Sequence, residues 1–267
     1  MQSIDLFMAA TSFAFGACIG SFLNVCIYRL PAGESIVAPG SRCNQCRTPL
    51  RWYDNVPLVS YLVLRGHCRD CGASFSARYW VVELVTALIS VTLFLRFGPT
   101  VDYLGYLYFA CALLAITYID LDHQIIPDVI TLPGVGIGLL LAAATANGDV
   151  VAALERSALG TLLGGGILWV VAWSYHAATG REGMGGGDVK LLAMIGAFLG
   201  WQAVLLTLLL ASFIGSAIGI ATMIARGADT KLAIPFGPFL SLGALVALFC
   251  GHAIVSWYIS YLGWSTI

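Results

Sequence analysis

The chain has 267 residues, of which 59% are hydrophobic and only 10% charged, with a net charge of −1 at pH 7. Apolar runs this long exclude a soluble domain built on one large core and point to a polytopic membrane protein. Net charge near zero gives no reason to expect a nucleic-acid partner, and the placement of the charges is more informative than their sum.

The first span is expected at Leu6 to Tyr28. Met1 to Asp5 lacks the basic start of a secretory signal and Arg29 stands where a cleavage site would be, so this helix reads as retained. Gly16 and Gly20, four apart, have the spacing of close helix packing in membranes, and Asn24 suits pairing with a neighbouring helix. Composition then changes between Pro31 and Arg78, where six arginines from Arg42 onward alternate with prolines and glycines. Two Cys-x-x-Cys pairs stand in this stretch, Cys43-Asn44-Gln45-Cys46 and Cys68-Arg69-Asp70-Cys71, separated by 21 residues. Each pair can give two thiolates to one tetrahedral Zn²⁺, and four thiolates close the shell, so the metal reads as structural. About fifty residues with few large apolar side chains need such a staple to fold. His67, beside Cys68, is a possible substitute ligand or a surface residue. Cys18, Cys26, Cys111 and Cys250 fall in apolar runs and read as buried packing residues.

Tyr79 to Phe97 is the second span, with Glu83 about one turn inside as either a third acidic group of a site or a helix-pairing residue. Val101 to Ile119 is the third. It ends in Asp120-Leu121-Asp122-His123-Gln124-Ile125-Ile126-Pro127-Asp128, which holds three carboxylates. Asp128 beside Pro127 has the pattern of a helix cap, and Asp122 that of an exposed loop residue, either solvated or hydrogen bonded to Asp128. Asp120 directly continues the apolar run. The fourth span is Val129 to Ala146, followed by the polar turn Asn147-Gly148-Asp149, and the fifth is Leu159 to Ala178. Next comes Arg181-Glu182-Gly183-Met184-Gly185-Gly186-Gly187-Asp188, which sets Asp188 at the mouth of a short sixth segment, Val189 to Trp201. Ala203 to Ala225 and Phe239 to Leu262 complete about eight spans, with Pro235-Phe236-Gly237-Pro238 before the last.

If the cysteine segment is cytoplasmic, this topology puts Arg29, Arg42, Arg47, Arg51, Arg65, Arg69, Arg78, Arg181, Lys190, Arg226 and Lys231 on that side. That is eleven of the thirteen basic residues, with only Arg96 and Arg156 opposite, as the positive-inside rule requires. Asp120 and Asp188 then share the cytoplasmic face. Ionisable residues at such depth are rare and usually functional. Two carboxylates brought together hold one shared proton, so the ionised partner can activate water while the protonated one hydrogen bonds a scissile carbonyl. Peptide hydrolysis is the reaction this arrangement suits.

These residues resemble the type 4 prepilin peptidases, membrane aspartic proteases of the GxGD kind. The likeness is carried by Gly20-Ser21-Phe22-Leu23-Asn24-Val25 with Arg29-Leu30-Pro31, the two cysteine pairs, Asn55 to Leu62, Asp120 to Asp128, Gly183 to Leu192 and Pro235 to Pro238. It implies that Asp120 and Asp188 are the catalytic pair. It further implies cleavage of a short basic leader from type IV prepilins or pseudopilins at the bacterial inner membrane, then N-methylation of the new terminus with S-adenosylmethionine. No Rossmann-type glycine fingerprint accounts for that second activity. The expected fold is therefore all-α, with residues 1–30 as the first transmembrane helix, 31–78 as the cytoplasmic four-cysteine zinc domain and 79–267 as a seven-helix membrane protease domain. The competing reading is a cation-coupled membrane transporter using intramembrane carboxylates, and a third is a non-catalytic scaffold of a secretion apparatus.

Overall fold

The computed structural model describes residues 2–146, 148–181, 183–226 and 234–261. Asn147, Glu182, Lys231 and the expected end of the last span at Leu262 lie outside them. The described residues are helical, without a named strand. In chain order the helices are α1 (Gln2–Arg29), α2 (Val59–Val63), α3 (Ala77–Phe97), α4 (Val101–His123), α5 (Asp128–Ala144), α6 (Val150–Thr179), α7 (Gly186–Leu199), α8 (Trp201–Arg226) and α9 (Gly237–Tyr261).

Among the described residues, α1, α3, α4, α6, α8 and α9 are long and apolar enough to cross a membrane. The shorter α5 was also expected to span, whereas α7 was expected only as a short segment, tilted or incompletely spanning. With 14 residues at about 1.5 Å each, α7 reaches only roughly 21 Å, short of a hydrocarbon core of about 30 Å. The chain is a multi-pass membrane protein.

It divides into two compact units, Met1–Ala115 and Ile116–Ile267. In the first, α1 packs along α3, and the expected role of Gly16 and Gly20 is realised there. A Cβ on Gly16 would stand 2.8 Å from the Ala87 Cα, and one on Gly20 would stand 2.6 Å from the Glu83 Cα. Ser12, Ser90 and Tyr103 form a buried hydroxyl cluster with O···O distances of 2.8 to 3.1 Å, satisfying polar groups that lipid cannot. Residues 31–76 form a small knot of turns and α2 beyond the ends of α1 and α3.

In the second unit α7 is central, packed by α5, α6, α8 and α9. Leu191, Leu192, Met194 and Ile195 are wholly buried, because every side of this helix meets another. Small residues allow the tightest crossing: Gly196 of α7 lies on the backbone of Gly160 in α6, with no room for a methyl group on either. Helix α6 begins nine residues before the expected Leu159, since Asp149 caps it by accepting from the Ala152 N–H at 3.0 Å. Helix α4 likewise runs past Ile119 to His123, which puts Asp122 on an exposed helical turn and not in a loop. Of the four cysteines expected to be buried, Cys26 and Cys111 are, whereas Cys18 and Cys250 lie on outward apolar faces.

Candidate active site and metal centre

Asp120 stands in the last turn of α4 and is 5% exposed; Asp188 stands in the first turn of α7 and is 9% exposed. Both belong to the second unit, and they are near enough for their charges to interact. Neither caps a helix, since Gly185 holds the N-cap position of α7 without a side-chain bond. Asp188 sits where the amide dipoles of α7 favour negative charge. Its Oδ1 is buried and meets no hydrogen-bond partner among the described residues. Asp120 is held differently, by the Gly237 N–H, which donates to its Oδ2 at 3.0 Å.

The segment between α4 and α5 joins these two places. Ile126 rests against the first turn of α7 and the start of α9, and glycine is what admits it. A Cβ on Gly187 would stand 2.7 Å from the Ile126 Cβ. A Cβ on Gly237 would stand 2.6 Å from Asp120 Oδ2 and 3.2 Å from the Ile126 Cδ1. Within the glycine stretch the requirement is uneven, for a Cβ on Gly186 would meet nothing within 4 Å. Asp128 does not cap α5 as its sequence context suggests. It is the first residue of that helix, and both its oxygens accept from Lys190 Nζ at 2.7 Å, clipping α5 to α7 two residues beyond Asp188.

In the first unit, the sulfurs of Cys43, Cys46, Cys68 and Cys71 all lie within 4.8 Å of one another. The Cys43–Cys71 and Cys46–Cys68 separations are 3.8 and 4.0 Å, too long for disulfides. A tetrahedral zinc with Zn–S of about 2.3 Å sets its sulfurs roughly 3.8 Å apart, so the donor set fits that ion. Two matching knuckles present the thiols. The Arg47 N–H donates to the Cys43 carbonyl at 2.9 Å and the Cys43 N–H to the Thr48 carbonyl at 3.0 Å. The second knuckle repeats this with Gly72 to Cys68 at 2.9 Å and Cys68 to Ala73 at 2.8 Å. The residue after each pair, Arg47 or Gly72, takes a left-handed turn at φ 59° or 70°. Exposed His67 turns its ring to the Arg65 carbonyl at 2.7 Å and is not part of the thiol cluster. Arg69 clamps Asp54, donating from Nη2 to Oδ1 at 2.7 Å, and holds that carboxyl below the usual range.

Asn24 is buried and donates to the Tyr79 carbonyl at 3.0 Å, joining α1 to α3. Glu83 accepts from the Leu58 N–H at 2.7 Å. Leu58 has φ +61°, a strained value for leucine, and this bond helps hold it there.

Residues 14–97 match the bacterial peptidase A24 N-terminal domain, and residues 107–220 match the type IV leader peptidase family. A protein of Aeromonas hydrophila named prepilin leader peptidase/N-methyltransferase is 39% identical, the match covering 93% of this chain and 92% of the relative. Proteins of the same name from Pseudomonas aeruginosa and Legionella pneumophila are 37% and 36% identical. The first match covers 98% of this chain and 97% of the relative, the second 92% and 93%. The chain belongs to the type IV leader peptidase family. No solved structure matches it.

Both matched regions of this leader peptidase carry a group of interest, the thiol cluster in the first and the two aspartates in the second. The Gly237 amide, the Ile126 wedge and the Asp128–Lys190 clip were not read from the sequence. The Pro235-Phe236-Gly237-Pro238 motif was the available signal for the first of these.

Proposed function

We propose that the chain removes the basic leader of type IV prepilins or pseudopilins at the cytoplasmic face of the bacterial inner membrane, using Asp120 and Asp188 as an aspartic dyad. The same enzyme then N-methylates the exposed amino terminus with S-adenosylmethionine as donor. The observation that carries the cleavage reading is the pairing of two buried carboxylates in one unit, one fixed by a backbone N–H and the other with an oxygen that meets no partner among the described residues. Such a pair shares one proton. The ionised carboxylate takes a proton from water as it attacks the scissile carbonyl, while the protonated one hydrogen bonds the carbonyl oxygen. The roles then reverse as a proton passes to the departing amine. The two aspartates act as a unit.

The membrane part comprises eight segments in this reading, with α5 and α7 shorter than full spans and residues 31–78 forming a cytoplasmic zinc domain beside the seven-segment protease region, residues 79–267. Cys43, Cys46, Cys68 and Cys71 hold the zinc with no position open to water, so it contributes folding energy and not a nucleophile. The test is mass spectrometry of a candidate prepilin incubated with purified protein, with and without S-adenosylmethionine. Loss of the leader in both samples and a further 14 Da only with the donor is the expected result, 14 Da being about the mass of the CH₂ gained when methyl replaces a proton. Asp120→Asn and Asp188→Asn should each abolish cleavage, and retained cleavage in either folded variant rules out the dyad.

A further inference from the structure

The middle of the cysteine segment is its least polar part. Val56-Pro57-Leu58-Val59-Ser60-Tyr61-Leu62-Val63-Leu64 carries no charge, and α2 divides its side chains between two faces. Ser60 is buried, donating to the Tyr53 carbonyl at 3.0 Å and accepting from the Val56 N–H at 2.9 Å, and Tyr61 lies against Gly66. Val59, Leu62 and Val63 share the opposite face by their spacing and are 54%, 62% and 69% exposed. Three uncovered aliphatic side chains on one turn are poorly matched to water.

Most of the 31–76 knot lies beyond the helix ends, but this stretch turns back beside them. The Leu58 N–H donates to Glu83 Oε2 at 2.7 Å. Glu83 stands five residues, roughly 7 Å, inside Arg78 near the start of α3. Its Cα packs on Gly20, which is nine residues, roughly 13 Å, inside Arg29 at the end of α1. Even with the glutamate side chain leaning toward the start of its helix, Leu58 stays on the bilayer side of both arginines. Asn55 and Pro57 share the walls of a second cavity, of about 370 Å³, with the outward-facing Cys18 and Phe22 of α1. The backbone suits that level. The N–H groups of Val56, Leu58, Val59, Ser60, Leu62 and Leu64 all find acceptors within the protein, and Pro57 has none to place. A surface loop in water has no such need, whereas lipid imposes it. Exposed Trp52 and Arg65 flank the stretch, residue types that suit the headgroup layer.

We infer that residues 56–64 form an interfacial anchor, with Val59, Leu62 and Val63 seated among phospholipids where headgroups give way to acyl chains, in the leaflet that α1 and α3 enter at Arg29 and Arg78. Glu83 fixes the anchor from the protein side, and the anchor holds the thiol cluster close to the membrane surface. This placement stands whether or not the aspartates catalyse cleavage.

The test uses full-length, zinc-loaded protein in nanodiscs containing a phospholipid with a diazirine near the carbonyl end of one acyl chain. After photolysis the label is located by peptide mass spectrometry. In wild-type protein residues 59–63 should take label within about threefold of Phe22 on the outer face of α1, and Asn44-Gln45, exposed between the first two cysteines, at least about tenfold less. Leu62→Glu combined with Val63→Glu should cut the label on residues 59–63 by at least about fivefold, with zinc content as the control on folding. Wild-type label on residues 59–63 no higher than on Asn44-Gln45 overturns the proposal, as it would if another part of the chain or a second copy covered this face. Unchanged label in a double variant that keeps its zinc overturns it equally. If the double variant loses zinc, the wild-type contrast alone decides.

Discussion

Gly237 offers the sharpest test of the aspartate geometry, because one methyl group acts on one oxygen. In Gly237→Ala the new Cβ would stand 2.6 Å from Asp120 Oδ2, where ordinary van der Waals contact begins near 3.4 Å. The carboxylate must retreat by about 0.8 Å, and Ile126, 3.2 Å from the same Cβ, limits any shift of the backbone in its place. The retreat also stretches the hydrogen bond from the Gly237 N–H, and bonds to charged groups contribute about 1.5–3 kcal/mol. Misplacing a reacting group by about 1 Å costs on the order of 10²-fold in rate, or roughly 2.7 kcal/mol of barrier, and the two estimates agree. Leader cleavage by purified protein, timed by mass spectrometry, should fall about a hundredfold in kcat/KM. Gly136→Ala on α5 is the control, since its Cβ meets nothing within 4 Å. A Gly237→Ala protein that cuts within threefold of wild type would refute the idea that this amide positions Asp120.

The glycine stretch predicts a contrast between neighbours: Gly187→Ala should lower cleavage at least tenfold through Ile126, while Gly186→Ala should stay within about twofold, both in the same assay. Replacing Cys43 and Cys46 by serine should remove bound zinc, measured by elemental analysis, and make residues 31–78 sensitive to protease. Asp128→Asn should cost no more than about 1 kcal/mol of thermal stability, because the Lys190 pair is partly exposed, and high salt should narrow the difference from wild type. Arg69 lowers the Asp54 carboxyl below its unfolded value, so the stabilisation is complete above about pH 4 and fades as pH falls through the lower, folded-state value. Asp54→Asn should therefore unfold at a pH-independent cost above pH 5 and converge with wild type in stronger acid, as followed by tryptophan fluorescence.

Much of the fold was legible because lipid leaves few options. Runs such as Leu113 to Ile119 declare a helix, and a cysteine spacing of two residues declares a knuckle. Asp120 and Asp188 stood out because carboxylates that continue an apolar run have few structural reasons to be there. What escaped reading was long-range. Asp128 carries the local signature of a cap, yet its partner is Lys190, 62 residues away. Asp122 looked like a loop residue because no helix-breaking residue precedes Pro127 to fix the end of α4, and hydrogen bonding carries the helix on to His123. Cys18 and Cys250 were assigned to the interior on polarity alone, but in a bilayer an outward face is just as apolar. The support of Asp120 by Gly237 joins residues 117 positions apart, and periodicity carries no trace of that contact.

Because α7 is enclosed by α5, α6, α8 and α9, its residues answer to protein neighbours around the whole circumference, whereas α6 and α8 turn broad faces toward acyl chains. Evolutionary drift should respect that difference. Leu162, Phe213 or Ile224 can be traded for another greasy side chain at little expense, but Met194 or Ile195 can change only in concert with whatever presses on it. The helix that carries Asp188 is thereby insulated from variation in the surrounding membrane, and a shift in lipid composition would reach it last.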